Sequence, residues 1–129
     1  MNSRARLFKS HHPDYPDGGQ KRDFIWVGDC VEVMLWLADN RSVNGLFNCG
    51  TGTARTFLDL ANAVIAESGQ TASVEFVPTP DNIRDKYQYF TEARMERLRA
   101  AGYSKPFTTL EEGVALYVRN HLRAADPYL

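Results

Sequence analysis

Arg22 and Tyr87 are the two residues whose types and settings best suit ligand recognition. Arg22 lies in the segment QKRDFIWVGDCVEV, where a loop gives way to an apolar run. A guanidinium there can fork onto the oxygens of a diphosphate, or it can form a salt bridge with Asp23 or another nearby acid. Tyr87, in the segment DKYQYF, offers a ligand an aromatic face and a hydroxyl, or it fills the core. These side chains predict recognition of an anionic, hydroxyl-rich ligand rather than reaction with it.

Metal binding and nucleophilic catalysis are less well supported. His11 and His12 are adjacent, so they cannot both face one ion from a regular element, and His121 lies far away on a helix face that we predict to be exposed. Cys30 and Cys49 lack C-x-x-C spacing and a neighbouring histidine, and we predict that both are buried small apolar residues in a reducing compartment. No G-x-S-x-G elbow is present. We therefore expect neither a metal site nor a catalytic residue in this chain.

The glycine-rich segment NCGTGTART follows a predicted strand and precedes a predicted helix. That setting suits anion binding at a helix N-terminus. The segment lacks both the G-x-G-x-x-G and the G-x-x-x-x-G-K-[ST] spacing, however. We therefore favour a tight structural turn over a nucleotide cradle, and we expect no cofactor-binding residue here.

The composition is that of an ordinary globular domain. A chain of 129 residues is long enough for one domain with a real core, and it is 43% hydrophobic and 24% charged with a net charge of -1. That near-neutral balance argues against a nucleic-acid partner or a polybasic membrane contact. No apolar run approaches the roughly 20 residues that span a bilayer, and MNSRARLFKS lacks the apolar stretch of a secretory signal.

The elements that must position the candidate residues begin with a loop and a strand. Residues 10–21 combine prolines, glycines, aspartates and histidines, which predicts an ordered surface loop. Residues 24–27 are aromatic and β-branched, which predicts a strand. Asp29 stands three positions before Glu32, so we predict that it caps a mostly buried helix whose residues are apolar nearly all round.

The middle of the chain predicts a short strand at residues 46–49, a helix and a further strand. Thr56 is a suitable N-cap for the helix, with Asp59 at the third helical position, and Gly69 marks the helix end. The alternation in SVEFVP then predicts a half-buried strand that ends at its proline.

Two helices are predicted after a charged, aromatic connector at residues 80–90. Thr91 begins the first and Gly102 ends it. Thr108 and Glu111 have the spacing of a capping-box pair for the second. The order β-α-β-α-β-connector-α-α predicts an α/β fold. Its three strands make a sheet smaller than that of a free-standing doubly wound domain.

Several motifs together resemble a known family. KRDFIWVGDCVEVMLWL resembles the R-D-F-aromatic-V-x-D segment of extended short-chain dehydrogenases that modify nucleotide sugars, and GLFNCGTG with TFLDLANAV resembles their N-x-G-x-G strand-loop and the helix behind it. PTPDNIRDKYQYFTEARMERLRAAGYSKPFTTLEEGV resembles, motif by motif, the C-terminal part of the ADP-L-glycero-D-manno-heptose 6-epimerase family. The shared motifs are P-x-P-D, a basic-Tyr-Gln pair, F-T-x-A and L-R-x-A-G-Y-x-K-P-F.

The resemblance implies a substrate-binding domain over residues 1–129, with a ligand-facing loop at 8–22 and a connector at 80–90. It implies an α/β fold in which a small sheet and about four helices form the C-terminal part of an extended short-chain dehydrogenase, without its Rossmann N-terminal half. The family's Gly-rich cofactor loop and Tyr-x-x-x-Lys pair are not found in this sequence. We therefore expect a fragment, or a truncated reading frame starting at Met1, that is cytoplasmic and inactive alone.

The resemblance also implies a reaction and a set of contacts. In the family, hydride transfer to NADP and back inverts C6 of a heptose of the lipopolysaccharide inner core. The matching substrate-binding residues are Phe8, Lys9, Ser10, His11, Arg22 and Tyr87. The implied partners are an ADP-sugar, the missing Rossmann half and further copies in a homo-oligomer, and NADP would bind the full-length enzyme but not this chain. An exposed apolar face would follow from the missing half. Another nucleotide-sugar epimerase or dehydratase, or a non-catalytic sugar-nucleotide or protein-interaction module, remains an alternative.

Overall fold

The computed structural model describes residues 3–126, and within them lie two small sheets and five α-helices. The strands are β1 (Ser3–Phe8), β2 (Lys21–Arg22), β3 (Arg55–Thr56) and β4 (Ala72–Val77). The helices are α1 (Val27–Asp39), α2 (Phe57–Ser68), α3 (Asp81–Arg84), α4 (Glu96–Ala100) and α5 (Leu110–Tyr117), and a π-helical turn (Val118–Leu122) continues α5. The predicted α/β class is confirmed, although the expected single sheet is divided in two.

The larger sheet pairs β1 with β4 in parallel, and β1 was not predicted from the sequence. Its segment SRARLF alternates charged and apolar residues, which is the signal of a half-buried strand. Arg4 and Arg6 flank Glu75 of β4 at 3.6 and 3.4 Å, so the neighbouring strand compensates the two charges. β2 and β3 form the second sheet as a short antiparallel pair.

The strands predicted at residues 24–27 and 46–49 are wrong. Val27 is the first residue of α1, and residues 24–26 lie outside both sheets. Phe24 instead packs edge-on against Phe57, with ring centroids 5.4 Å apart. Leu46 is 80% exposed, so that apolar segment is not a buried strand either. Aromatic and β-branched residues favour strands because their side chains pack well on a sheet. Here the side chain of Phe24 packs in the same way although its backbone pairs with no strand.

Two predicted helix caps are displaced, and one contact explains both. Asp29 is not the cap of α1, which begins after Trp26; it lies buried in the first turn. Its carboxylate accepts hydrogen bonds from the backbone N–H and the hydroxyl of Thr108, at 2.7 and 2.9 Å. Because Thr108 is engaged there, the capping box of α5 lies one residue later, between Thr109 and Glu112.

The middle helix follows its local signals. Thr56 and Asp59 form a complete capping box at the start of α2, as predicted. Gly69 ends the helix in the left-handed conformation (φ 67°), also as predicted. The strand predicted at SVEFVP is confirmed as β4.

The helix predicted from Thr91 is shorter than expected. The residues before α4 contact β2 instead, since the Thr91 N–H donates a hydrogen bond to the Lys21 carbonyl at 3.3 Å. The helix begins only after Met95, and Gly102 (φ 111°) follows its end as predicted.

A small apolar core joins α1 to α4 and to the segment that follows α4. Val33, Leu98 and Tyr103 are its buried members, and Trp36 packs against Tyr103 with ring centroids 5.5 Å apart. The outward face of α1 is apolar but exposed, contrary to the prediction of a mostly buried helix. No helix between residues 3 and 126 is both long enough and apolar enough to cross a membrane.

Candidate functional site

Three of the predicted ligand-binding residues form one cluster near the end of the larger sheet. Phe8 is the last residue of β1, Arg22 ends β2, and Tyr87 lies in the connector after β4. The rings of Phe8 and Tyr87 meet edge to face, with centroids 6.0 Å apart. The guanidinium carbon of Arg22 lies 5.6 Å from the ring centroid of Tyr87 and 5.7 Å from that of Phe57. Segments distant in sequence thus converge on one cation.

Arg22 is not neutralised by the acid beside it, which was the structural alternative to ligand binding. The two oxygens of Asp23 accept hydrogen bonds from Thr51, Gly52 and Ala93. Arg22 donates one hydrogen bond, at 2.8 Å, to the carbonyl of Lys21. The guanidinium also lies over two aromatic faces, which attract a cation without consuming N–H donors. The guanidinium therefore retains donors for an anion, which is what a diphosphate contact requires.

The predicted segment Phe8–His11 continues from β1 with its backbone already held by the protein. The Lys9 N–H donates to the Val77 carbonyl at 2.8 Å and so extends the parallel ladder by one residue. The Ser10 N–H donates to the carboxylate of Asp17 at 2.7 Å, and the His11 N–H donates to the hydroxyl of Tyr89 at 2.8 Å. These backbone amides are occupied, so an anion would meet the exposed side chains of Lys9 and His11 instead.

Two buried polar residues that sequence reasoning missed hold this segment in place. Gln20 is 2% exposed and Thr79 is 1% exposed. The Gln20 amide donates to the carbonyls of Phe8 and Lys9 at 3.2 and 3.4 Å, and the Thr79 hydroxyl donates to the Lys9 carbonyl at 2.9 Å. A buried polar group needs such partners, but nothing local in the sequence marks either residue, because its partners lie 11 to 70 positions away.

Asp23 ties two loops together. Its carboxylate accepts hydrogen bonds from the N–H and hydroxyl of Thr51, from the Gly52 N–H and from the Ala93 N–H. Burial opposes its charge, but the hydrogen bonds outweigh burial and hold the pKa of Asp23 below its ordinary value. The backbone at Gly50 also packs closely here, since a Cβ at that position would collide with the side chains of Ala93 and Asp23. Asp23 is therefore a structural residue.

The glycine-rich loop is a structural turn, as predicted. Beyond the two amides that bond to Asp23, the Thr53 N–H donates to the Thr51 hydroxyl, and the Ala54 N–H donates to the carboxylate of Glu92. A phosphate cradle needs several free amides pointing at one ligand. Four successive amides of this loop, from Thr51 to Ala54, are thus engaged by side chains of the protein.

The thiols are placed differently from the prediction. Cys49 is exposed and Cys30 is half-buried, so neither is a fully buried core residue. Desolvation and the neighbouring Cys30 thiol raise the pKa of Cys49 to about 11. The thiol is therefore protonated at neutral pH, which does not suit a nucleophile.

The histidines and the other ligating residues form no metal centre in the part of the chain that is described. Residues 3–126 contain no group of three or more His, Cys, Asp or Glu side chains that could hold an ion. His121 is half-buried rather than exposed as predicted, and its ring packs at a tilt against that of Tyr117 with centroids 5.4 Å apart.

The chain is similar to curated proteins over almost all of its length, although no protein-family model matches it. The ADP-L-glycero-D-manno-heptose-6-epimerase of Nitratidesulfovibrio vulgaris (strain DP4) is 57% identical over 124 residues, which are 96% of this chain and 38% of that protein. The protein of the same name from Fusobacterium nucleatum subsp. nucleatum is 40% identical over an alignment of 134 positions, which covers 99% of this chain and 40% of that protein. The chain thus spans about two fifths of the length of these relatives.

Solved structures share the fold. The UDP-glucose 4-epimerase of Thermus thermophilus, in complex with NAD, superposes with a TM-score of 0.73 and 28% identity, over 94% of this chain and 36% of that one. The UDP-N-acetylglucosamine 4-epimerase of Methanobrevibacter ruminantium M1 superposes with a TM-score of 0.63 over 93% of this chain and 36% of that one. Its 19% identity shows the fold alone. This chain is therefore a homologue of part of the ADP-L-glycero-D-manno-heptose-6-epimerases, and it has a small α/β fold shared with nucleotide-sugar epimerases.

Proposed function

We propose that this chain is the substrate-binding part of an ADP-L-glycero-D-manno-heptose 6-epimerase of lipopolysaccharide inner-core biosynthesis, working in the cytoplasm. The observation that carries the proposal is the setting of Arg22, a cation held by two aromatic rings and left unneutralised by Asp23. Such a group suits the diphosphate of a nucleotide sugar. The heptose and the adenine nucleotide of the proposed substrate are taken from the names of the curated relatives.

Each predicted residue then has a distinct part in binding. Arg22 donates two parallel hydrogen bonds to the diphosphate, and the exposed ammonium of Lys9 adds a second positive charge. Tyr87 presents its ring and hydroxyl to the sugar nucleotide, and Phe8 holds that ring through an edge-to-face contact. Ser10 and His11 belong to the same segment as Lys9, and their backbone amides donate hydrogen bonds to Asp17 and Tyr89. These contacts orient the sugar and do not react with it.

The redox chemistry belongs to the cofactor. NADP, when bound, supplies the hydride transfer that removes and restores hydrogen at the inverted carbon. The glycine-rich loop of this chain has its amides occupied by Asp23, Thr51 and Glu92, so we place the dinucleotide in a Rossmann domain of the complete enzyme. The chain alone would then bind substrate and be inactive.

We propose that the exposed face of α1 contacts that Rossmann domain. Val27, Val31, Met34 and Leu35 follow the i, i+4, i+7, i+8 spacing of one helix face, and they are 63%, 46%, 60% and 58% exposed. Contiguous exposed apolar surface of this kind marks an interface. When the Rossmann domain is absent, the same face favours self-association, which gives the homo-oligomer expected from the sequence a physical basis.

A related nucleotide-sugar epimerase is the second candidate. It is favoured by the superposition on the UDP-glucose 4-epimerase of Thermus thermophilus, at a TM-score of 0.73. The cluster of Arg22, Tyr87 and Phe8 would serve the diphosphate of either nucleotide, so the nucleotide base and sugar must be distinguished by experiment.

Calorimetric titration of the chain with ADP-heptose, ADP and UDP-glucose tests the proposal. We expect ADP-heptose to bind most tightly, and Arg22→Ala to weaken it about ten- to hundredfold, since a charge-assisted hydrogen bond contributes about 1.5–3 kcal/mol. Arg41→Ala is the matched control, because Arg41 is exposed in the turn after α1. Stronger binding of UDP-glucose would favour the second candidate. An Arg22→Ala affinity within twofold of the wild type would exclude the diphosphate role.

A further inference from the structure

Three aromatic rings form a closed triangle between the loop after β1 and the connector after β4. His12 and Tyr15 come from the loop, and Tyr89 comes from the connector. The ring centroids of His12 and Tyr15 are 5.3 Å apart, those of His12 and Tyr89 are 5.2 Å apart, and those of Tyr15 and Tyr89 are 5.4 Å apart. The three rings therefore pack against one another across segments more than 70 residues apart in sequence.

Tyr89 also contacts each of the three segments that carry the candidate ligand residues. Its hydroxyl accepts the hydrogen bond from the His11 N–H at 2.8 Å. Its carbonyl accepts a hydrogen bond at 2.8 Å from the N–H of Lys21, which is the residue immediately before Arg22. Its ring meets the ring of Tyr87 edge to face, with centroids 5.5 Å apart.

Tyr87 in turn lies against the guanidinium of Arg22 at 5.6 Å. A displacement of Tyr89 would therefore move one of the two rings that hold the cation. It would also release His11, whose backbone follows Lys9 and Ser10. The contacts of Tyr89 reach every part of the proposed site.

We propose that Tyr89 is a positioning residue, which fixes Arg22, Tyr87 and the segment after β1 relative to one another and so sets the affinity for a nucleoside diphosphate sugar. This inference rests on the proposed function. Tyr89 acts through its neighbours and not by contact with the ligand. His12 and Tyr15 stabilise its ring, and its hydroxyl fixes the loop.

A double-mutant cycle on the whole chain separates positioning from general stabilisation. The dissociation constant for ADP-heptose is measured for the wild type, Tyr89→Ala, Arg22→Ala and the double variant, at a temperature where circular dichroism shows all four folded. Because Tyr89 acts partly through Arg22, we expect Tyr89→Ala to weaken binding about tenfold in the wild type and less than threefold in the Arg22→Ala background.

Tyr89→Phe tests the two contacts of the side chain separately. It keeps the ring triangle and removes the hydroxyl, so we expect it to restore most of the affinity lost in Tyr89→Ala. Hydrogen exchange at the His11 amide should nevertheless be at least tenfold faster than in the wild type, because its acceptor is lost. Tyr117→Ala and Tyr117→Phe are the matched controls. Tyr117 is the last residue of α5 and packs against His121, so its substitution should leave both readouts unchanged.

The possible failures are distinguishable. A wild type that binds neither ADP-heptose nor ADP refutes the proposed function, and the positioning role with it. If the wild type binds and Tyr89→Ala binds within twofold of it, only the positioning role is refuted. An equal loss in both backgrounds also refutes it, because Tyr89 would then act independently of Arg22.

Discussion

The guanidinium of Arg22 lies over two aromatic rings, whereas the carboxylate of the next residue, Asp23, lies among the hydrogen-bond donors of two loops. The carboxylate of Asp23 is engaged by Thr51, Gly52 and Ala93. The guanidinium of Arg22 has one backbone carbonyl and two ring faces. Adjacent charges of opposite sign thus differ in how fully the fold satisfies them.

This difference is the basis on which we assign a structural role to Asp23 and propose a ligand-binding role for Arg22. A charge whose hydrogen-bonding capacity is satisfied internally contributes to the fold, and a ligand could reach it only by breaking those bonds. A charge stabilised by aromatic faces is oriented while its donors remain available. The two regions should therefore respond differently to mutation, with Asp23 governing stability and Arg22 governing affinity.

Asp23→Ala should produce the largest loss of stability of the changes considered. It leaves the N–H groups of Thr51, Gly52 and Ala93 without their acceptor, and we expect the free energy of unfolding to fall by about 3 kcal/mol. Urea denaturation followed by circular dichroism measures this loss. Asp39→Ala, at the exposed end of α1, is the matched control and should change stability by less than about 0.5 kcal/mol. A loss below about 1 kcal/mol for Asp23→Ala would remove the distinction between the two regions.

Acid should remove the stability that the hydrogen bonds to the Asp23 carboxylate provide. The hydrogen bonds to Asp23 lower its folded-state pKa below the ordinary value of 3.8. Its contribution is therefore fully present above that pH and is lost as the pH falls through the lower folded-state pKa. Asp23→Asn cannot ionise, so its stability deficit relative to the wild type should be constant near neutrality and shrink below pH 3.8. Asp59, Glu111 and Glu112 also have lowered pKa values, but they titrate in both proteins and cancel in the difference. A deficit independent of pH would show that Asp23 is not held ionised by the fold.

Local signals in the sequence predicted the fold best. The capping box of Thr56 and Asp59 and the left-handed Gly69 involve residues close in sequence, and all were found where predicted. Asp29 has equally good capping chemistry, but its carboxylate is used by Thr108, 79 positions away. A cap predicted from spacing fails when a tertiary partner competes for the same oxygen.

The candidate site shows the same division. Arg22 and Tyr87 were proposed from residue type, setting and family resemblance, and the structure brings them within 5.6 Å. Gln20, Thr79 and Tyr89 were missed, because their importance comes from contacts to Lys9 and His11 that only the folded chain creates. Sequence reasoning therefore selected two residues that the structure brings together, and it missed the residues that hold the neighbouring loop in place.

Arg22→Ala should destabilise the chain far less than Asp23→Ala does. The substitution removes one hydrogen bond to the Lys21 carbonyl and two contacts with aromatic faces. At a partly exposed position these interactions together contribute about 1 kcal/mol or less. Urea denaturation of Arg22→Ala beside Asp23→Ala measures both effects under the same conditions.

Arg22→Lys refines the test, because it keeps the positive charge and loses the planar guanidinium. It should unfold like the wild type and still bind ADP-heptose more weakly. If Arg22→Ala instead destabilises the chain as much as Asp23→Ala does, the guanidinium is a structural group, and the ligand-binding role must pass to Lys9.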